Sequence, residues 1–122
     1  MSDRLSAGQL AILVAYAAAM AGGQLLFKTA AMRGAGAASF TERIAGSLFN
    51  GYFIVALILY AALTVLWVWI LSFTPLSRAY PFVALAFALT PALGIMVFGE
   101  AASLRLAIGI VLIVCGLSLI AV

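Results

Sequence analysis

The chain contains no histidine, one cysteine, and only six basic and three acidic side chains. Without histidine there is no histidine-based catalytic triad, no histidine zinc site and no imidazole proton relay. Cys115 has no second thiol to pair with, and no ligand spacing suits a metal, so neither a disulfide framework nor a metal cofactor is expected. The charges are scattered singly at Asp3, Arg4, Lys28, Arg33, Glu42, Arg43, Arg78, Glu100 and Arg105. No basic run exists that would track a phosphate backbone, which excludes nucleic-acid binding. Charged residues make up 7% of the chain, whereas a soluble domain carries about 25%. So few charges cannot cover a water-facing globule of this length.

What is present is apolar: 68% of residues are hydrophobic and the mean hydropathy is +1.33. Lipid must therefore supply the outer solvent. About 20 mostly apolar residues span the hydrocarbon core as a helix, and four such segments fit, at 10–32, 50–73, 78–98 and 104–122. Charges fall at or between segment ends, as required when each segment satisfies its own backbone. The pattern predicts an all-α membrane protein, a single four-helix transmembrane domain over residues 1–122. The first segment reads as a retained helix, not a signal peptide. Its apolar stretch is long, Ala17-Ala18-Ala19 lies inside it, and further spans follow.

The connections differ in character. Thr74-Pro75-Leu76-Ser77 imposes a tight hairpin between the second and third segments. Gly99-Glu100-Ala101-Ala102-Ser103 turns the third into the fourth. The first loop holds Gly34-Ala35-Gly36, then Ser39 and Glu42 at capping-box spacing. Phe40, Ile44 and Leu48 recur every four residues, which fits either a short amphipathic helix at the membrane surface or an irregular loop. Counting basic residues by side places Arg4 and Arg78 opposite Lys28, Arg33, Arg43 and Arg105, which puts the N-terminus outside. A bias this small also permits insertion in both directions.

Polar groups in the apolar segments are few. Gln24 and Lys28 share a helix face one turn apart, forming a polar strip aimed at a cavity. Lys28 is about 27 Å along the first helix from Leu10, near its loop end. Glu100 follows the third segment on the same side of the membrane, where it is able to pair with Lys28. The plainer reading is that Lys28 snorkels to the headgroups. Gly22 and Gly23 beside the strip allow close backbone approach. Arg78 belongs at the opposite face, as an interfacial anchor or a second phosphate contact. Pro81 falls in a first helical turn, where its missing N–H costs little. Pro91 is mid-segment and deprives the Phe87 carbonyl of its usual donor, which suits a kink beside a cavity or a purely structural one. Tyr16, Tyr60 and Tyr80 bring hydroxyls into or near the bilayer, and Trp67 and Trp69 read as an interfacial aromatic belt. Gly109 and Gly116 lie on one face of the fourth segment and read as a dimer surface.

Taken in order, these stretches resemble a known group. Gly22-Gly23-Gln24-Leu25-Leu26-Phe27-Lys28 resembles the Gly-Gln-x-x-x-Lys signature in the first helix of small drug/metabolite transporters. Thr74 to Pro81, ending in Ala79-Tyr80-Pro81, is similar to their second turn, Glu100 to an acidic residue in the third, and Gly109 through Gly116 to their fourth-helix dimer motif. The resemblance spans nearly the whole chain. Within that superfamily, proton-coupled multidrug exporters carry a membrane-embedded Glu where this chain has Met20, and a Trp where it has Val83. The motifs look closer to the subunits that flip aminoarabinose-phosphoundecaprenol. The resemblance implies a homodimer or heterodimer in the bacterial inner membrane, termini cytoplasmic, moving an undecaprenyl-phosphate sugar without chemistry or cofactor. It implies Gln24, Lys28, Arg78, Tyr80 and Glu100 as substrate-binding residues. Two rival expectations are an exporter of cationic or amphipathic compounds and a non-transporting subunit of a membrane complex.

Overall fold

The computed structural model describes residues 5–34, 36 and 39–121. Asp3 and Arg4, part of the charge pattern above, Ala35 of the first loop and Val122 at the end of the fourth segment lie outside them. Among the described residues all regular structure is helical: α1 (Ala7–Gly34), α2 (Phe40–Leu48), α3 (Gly51–Leu71), α4 (Leu76–Ala79), α5 (Val83–Phe98) and α6 (Leu104–Ala121). A 3-10 turn, Tyr80–Phe82, joins α4 to α5. Three stretches, Ala7–Gly34, Gly51–Leu71 and Leu76–Phe98, are long and apolar enough to cross a membrane, and α6 is apolar but shorter. This architecture is compatible with an all-α, multi-pass membrane protein.

The helices begin and end where local chemistry dictates. The first starts one turn earlier than its apolar pattern, because Ser6 and Gln9 form a reciprocal capping box. The Gln9 backbone N–H donates to Ser6 Oγ at 3.1 Å and the Ser6 N–H to Gln9 Oε1 at 2.8 Å. Asn50 Oδ1 caps α3 by accepting from the Tyr52 N–H at 2.8 Å, and Ser103 Oγ caps α6 through Leu106 at 3.1 Å. The third segment starts at Leu76 instead of Arg78 and tightens to 3-10 geometry around Pro81, which has no N–H to continue an α-helical ladder. The helix α5 continues through Pro91 to Phe98. Gly99 then adopts the left-handed conformation, φ 65°, that ends the helix and turns the chain back. The first loop does form a helix, with Ser39 Oγ accepting from the Glu42 N–H at 3.1 Å. No residue of α2 is buried, and Phe40, Ile44 and Leu48 stay exposed.

Packing follows from which faces are small. The long helix α1 packs along both α3 and α5, and α6 leans on α5. The order α3, α1, α5, α6 is thus set by neighbour contacts. One end of this row is tied together: Gln9 Nε2 donates to the Phe73 carbonyl at 3.3 Å, and Arg78 Nη1 donates to the Ile120 carbonyl at 2.9 Å. The large buried side chains gather there, in a cluster of Leu13, Tyr16, Leu63, Ile70, Phe82 and Leu117. Towards the other end, the buried positions of α1, α3 and α5 are small, including Ala21, Gly23, Ala30, Ala56 and Gly94. Small residues allow close van der Waals contact, the term that holds helices together in lipid, but leave little side-chain volume to fill the space beside them.

Candidate functional site

Two adjoining hollows lie between α1 and α5. One, about 370 Å³, is lined by Met20, Gln24, Val83, Phe87, Thr90 and Pro91. The other, about 190 Å³, is lined by Gln24, Lys28, Thr90, Gly94, Phe98 and Glu100. Gln24 and Thr90 belong to both, so the hollows form one cleft that runs from an apolar stretch at Met20 and Val83 to a charged mouth. At the mouth, Lys28 Nζ stands 3.7 Å from Glu100 Oε2, and both side chains are about half exposed. The pairing expected from chain direction is therefore present.

Backbone geometry delivers Glu100 to that position. The left-handed turn at Gly99 sends the chain back over α5, and the flexible Glu100 carboxylate rests against Gly94, where an added Cβ would make it shift. Half-exposed ion pairs contribute about 0–1 kcal/mol, so a competing anion is able to displace Glu100 from Lys28 at modest cost. An equally exposed but fixed charge would offer no such exchange.

Deeper in the cleft, Gln24 is oriented by α3. Its Nε2 donates to Tyr60 Oη at 2.9 Å, and the Tyr60 hydroxyl donates to the Met20 carbonyl at 2.7 Å. The Tyr60 ring stacks on Phe27, centroids 5.2 Å apart, and lies against Gly23, where a Cβ would come within 2.6 Å of Tyr60 Cε2. Gly23 thus permits the close approach predicted for the glycine pair, whereas Gly22 has open space beside it. The amide oxygen of Gln24 is left for a ligand, since its nitrogen is the atom engaged with tyrosine.

Arg78 and Tyr80 do not join this group. Arg78 sits at the tied end, bonded to the Ile120 carbonyl. Tyr80, 61% exposed, meets Trp67 edge-on at 6.2 Å, and Trp67 stacks on Tyr16 at 5.2 Å. Trp67 is therefore a packing partner between helices, and only Trp69, exposed beside Phe73, keeps the outward position of a belt residue. Five expected substrate-binding residues thus divide into a cleft group, Gln24, Lys28 and Glu100, and an end group, Arg78 and Tyr80. Sequence reasoning missed Thr90, although it is the one polar side chain between Tyr80 and Glu100. It also missed Tyr60 as the partner of Gln24, and Gly94 as the seat of Glu100. On α6, nothing lies within 4 Å of a Cβ built at Gly109 or Gly116, so that stripe faces away from the other helices of this chain. Among the described residues no group of acidic, cysteine or histidine side chains is placed to hold a metal.

These features are those of a helical protein with three helices long and apolar enough to cross a membrane, as in a multi-pass membrane protein, and a cleft with a charged mouth between two of them. No protein-family model matches the chain, and no curated protein or solved structure shows significant similarity to it.

Proposed function

We propose that the chain is a four-span transporter of the bacterial inner membrane that flips a lipid-linked sugar phosphate, an undecaprenyl-phosphate sugar such as aminoarabinose, and works as a dimer. The observation that carries this reading is the cleft: one cation at its mouth, held only by an exchangeable carboxylate, and one oriented amide a turn further in. A phosphate displaces Glu100 and pairs with Lys28. Gln24 and Thr90 face the sugar hydroxyls, while the polyprenyl tail stays in lipid beside the open edge of the cleft. No bond is made or broken. Arg78 and Tyr80, at the tied end, take over the headgroup after the cleft changes its open side. Gly109 and Gly116 bring two copies of α6 together, and α6 completes the fourth span despite its shorter length.

The ordered motifs of the sequence support the flippase group over the multidrug exporters. Met20 and Val83, which stand where those exporters carry Glu and Trp, line the same cleft and are apolar. The exporter reading keeps one favourable observation, the Glu100 carboxylate at the cleft mouth, to which an organic cation would pair. Reconstituted vesicles separate the two. Purified protein is expected to accelerate exposure of a polyprenyl-phosphate sugar headgroup to an impermeant reagent, and not to drive proton-coupled uptake of a quaternary ammonium compound. The opposite pair of results refutes the flippase reading.

A further inference from the structure

A second cavity, about 530 Å³, lies on the α1–α3 side of the protein, away from the α1–α5 cleft. It is lined by Leu26, Arg33, Asn50, Gly51, Tyr52 and Val55. Its polar residues are all at one level and its aliphatic ones at another. Leu26 is seven residues before Arg33 on α1, or about 10 Å along the helix, and Val55 lies about 7 Å beyond Asn50 on α3. The wall therefore grades from cationic and amide groups to aliphatic side chains over about the depth from a lipid phosphate to the first methylenes of its chains.

The form of α2 suits the level of the headgroups. This short helix carries its apolar stripe exposed and no residue buried, the form of a helix lying in the headgroup plane. Its last residue, Leu48, leads within two residues to Asn50 at the rim of the cavity. The guanidinium of Arg33 is also prepared. It lies over the Tyr52 ring, 4.9 Å from the centroid, within cation–π range. Among the described residues no carboxylate pairs with it. Asn50 uses its Oδ1 to cap α3, so its amide N–H groups remain as donors.

We infer that this cavity is a binding site for the phosphate headgroup of an anionic membrane lipid, with Arg33 and Asn50 holding the phosphate and Leu26 and Val55 covering the upper part of the chains. The inference does not rest on the transport reading, because none of its residues belongs to the Lys28 cleft.

Native mass spectrometry of the full chain in mild detergent, titrated with phosphatidylglycerol or phosphatidylcholine, tests it. Phosphatidylglycerol is expected to stay bound in preference to phosphatidylcholine, and Arg33→Gln to weaken it by about fivefold or more, as one basic side chain near an anionic lipid provides. Arg33→Lys should restore part of the preference, which shows that Arg33→Gln acts through charge and not through misfolding. Excess inorganic phosphate should fail to compete, because it lacks chains to cover Leu26 and Val55. Equal retention of the two lipids, an unaffected Arg33→Gln variant, or displacement by inorganic phosphate would each overturn the assignment.

Discussion

Replacing Gly23 by alanine is expected to loosen the cleft from behind. The added Cβ would stand 2.6 Å from Tyr60 Cε2 and 2.9 Å from Cζ, against an ordinary carbon–carbon contact of about 3.5–4.0 Å. The ring must retreat by about 1 Å, and it is not free to do so. It is stacked on Phe27 at 5.2 Å and its hydroxyl is held at 2.9 Å by Gln24 and 2.7 Å by the Met20 carbonyl. Overpacking of this kind costs about 1–3 kcal/mol, and each weakened hydrogen bond adds about 0.5–1.5 kcal/mol. Alanine returns up to about 1 kcal/mol through its better helix propensity. The net expectation is a loss of at least about 1 kcal/mol and up to several, read as a lower unfolding midpoint of the detergent-purified protein. The same substitution made in a Tyr60→Leu background removes the ring and should then be neutral or slightly stabilising. Equal destabilisation in both backgrounds would refute the assignment of Gly23 to close contact with Tyr60.

Gly94→Ala should push the flexible Glu100 carboxylate aside and weaken its pairing with Lys28, the only lysine in the chain; acylation of Lys28 by an amine-selective reagent should rise, and unchanged labelling would show that the pair does not need the notch. Gly109→Leu and Gly116→Leu should lower the yield of crosslinked dimer in membranes while leaving the unfolding midpoint of the monomer close to wild type, since both positions have open space beside them. An unaltered dimer yield places the interface elsewhere. Reporter fusions at the two termini should give the same side of the membrane, as the contact between Arg78 and the Ile120 carbonyl and that between Gln9 and Phe73 require. Opposite sides would exclude four spans.

Features set by short-range chemistry or by chain direction were legible in the sequence. Ser39 and Glu42 mark a start for α2 at capping-box spacing, a helix the pattern left open against a loop, and Ser39 Oγ does accept from the Glu42 N–H. Lys28 and Glu100 were placed on one side by counting passes, which is enough to bring two groups at helix ends together. The box at Ser6 and Gln9 obeys the same rule, but it lies before the apolar run that marks the span. Contacts between helices were harder to read. In lipid the outer and inner faces are both apolar, so hydrophobic periodicity does not say which face of α3 meets α1. Tyr60 and Gln24 are 36 positions apart, and nothing local in either segment links them. The spacing of Trp67 and Trp69, two apart, shows that they face differently, but not which of them packs inward: Trp67 is drawn between Tyr16 and Tyr80, and Trp69 faces outward. Thr90 was readable in principle: Thr90, Gly94 and Phe98 recur every four residues, the stripe that lines the cleft mouth.

The transport reading stands on Lys28 as the partner of a crossing phosphate. Lys28→Met keeps similar bulk and deletes the charge, so insertion and dimerisation should survive. A hydrogen bond to a charged group contributes about 1.5–3 kcal/mol, which predicts a fall in headgroup transfer of about tenfold or more. Lys28→Arg should lose less, and Gln24→Leu should fall between wild type and Lys28→Met. The deciding measurement is the rate at which a polyprenyl-phosphate sugar headgroup becomes exposed across vesicles holding equal amounts of wild-type and Lys28→Met protein. A large loss in the variant, with dimer yield unchanged, is the expected result. Transfer at the wild-type rate would make Lys28 a snorkelling anchor, and the cleft would not be the path of the headgroup.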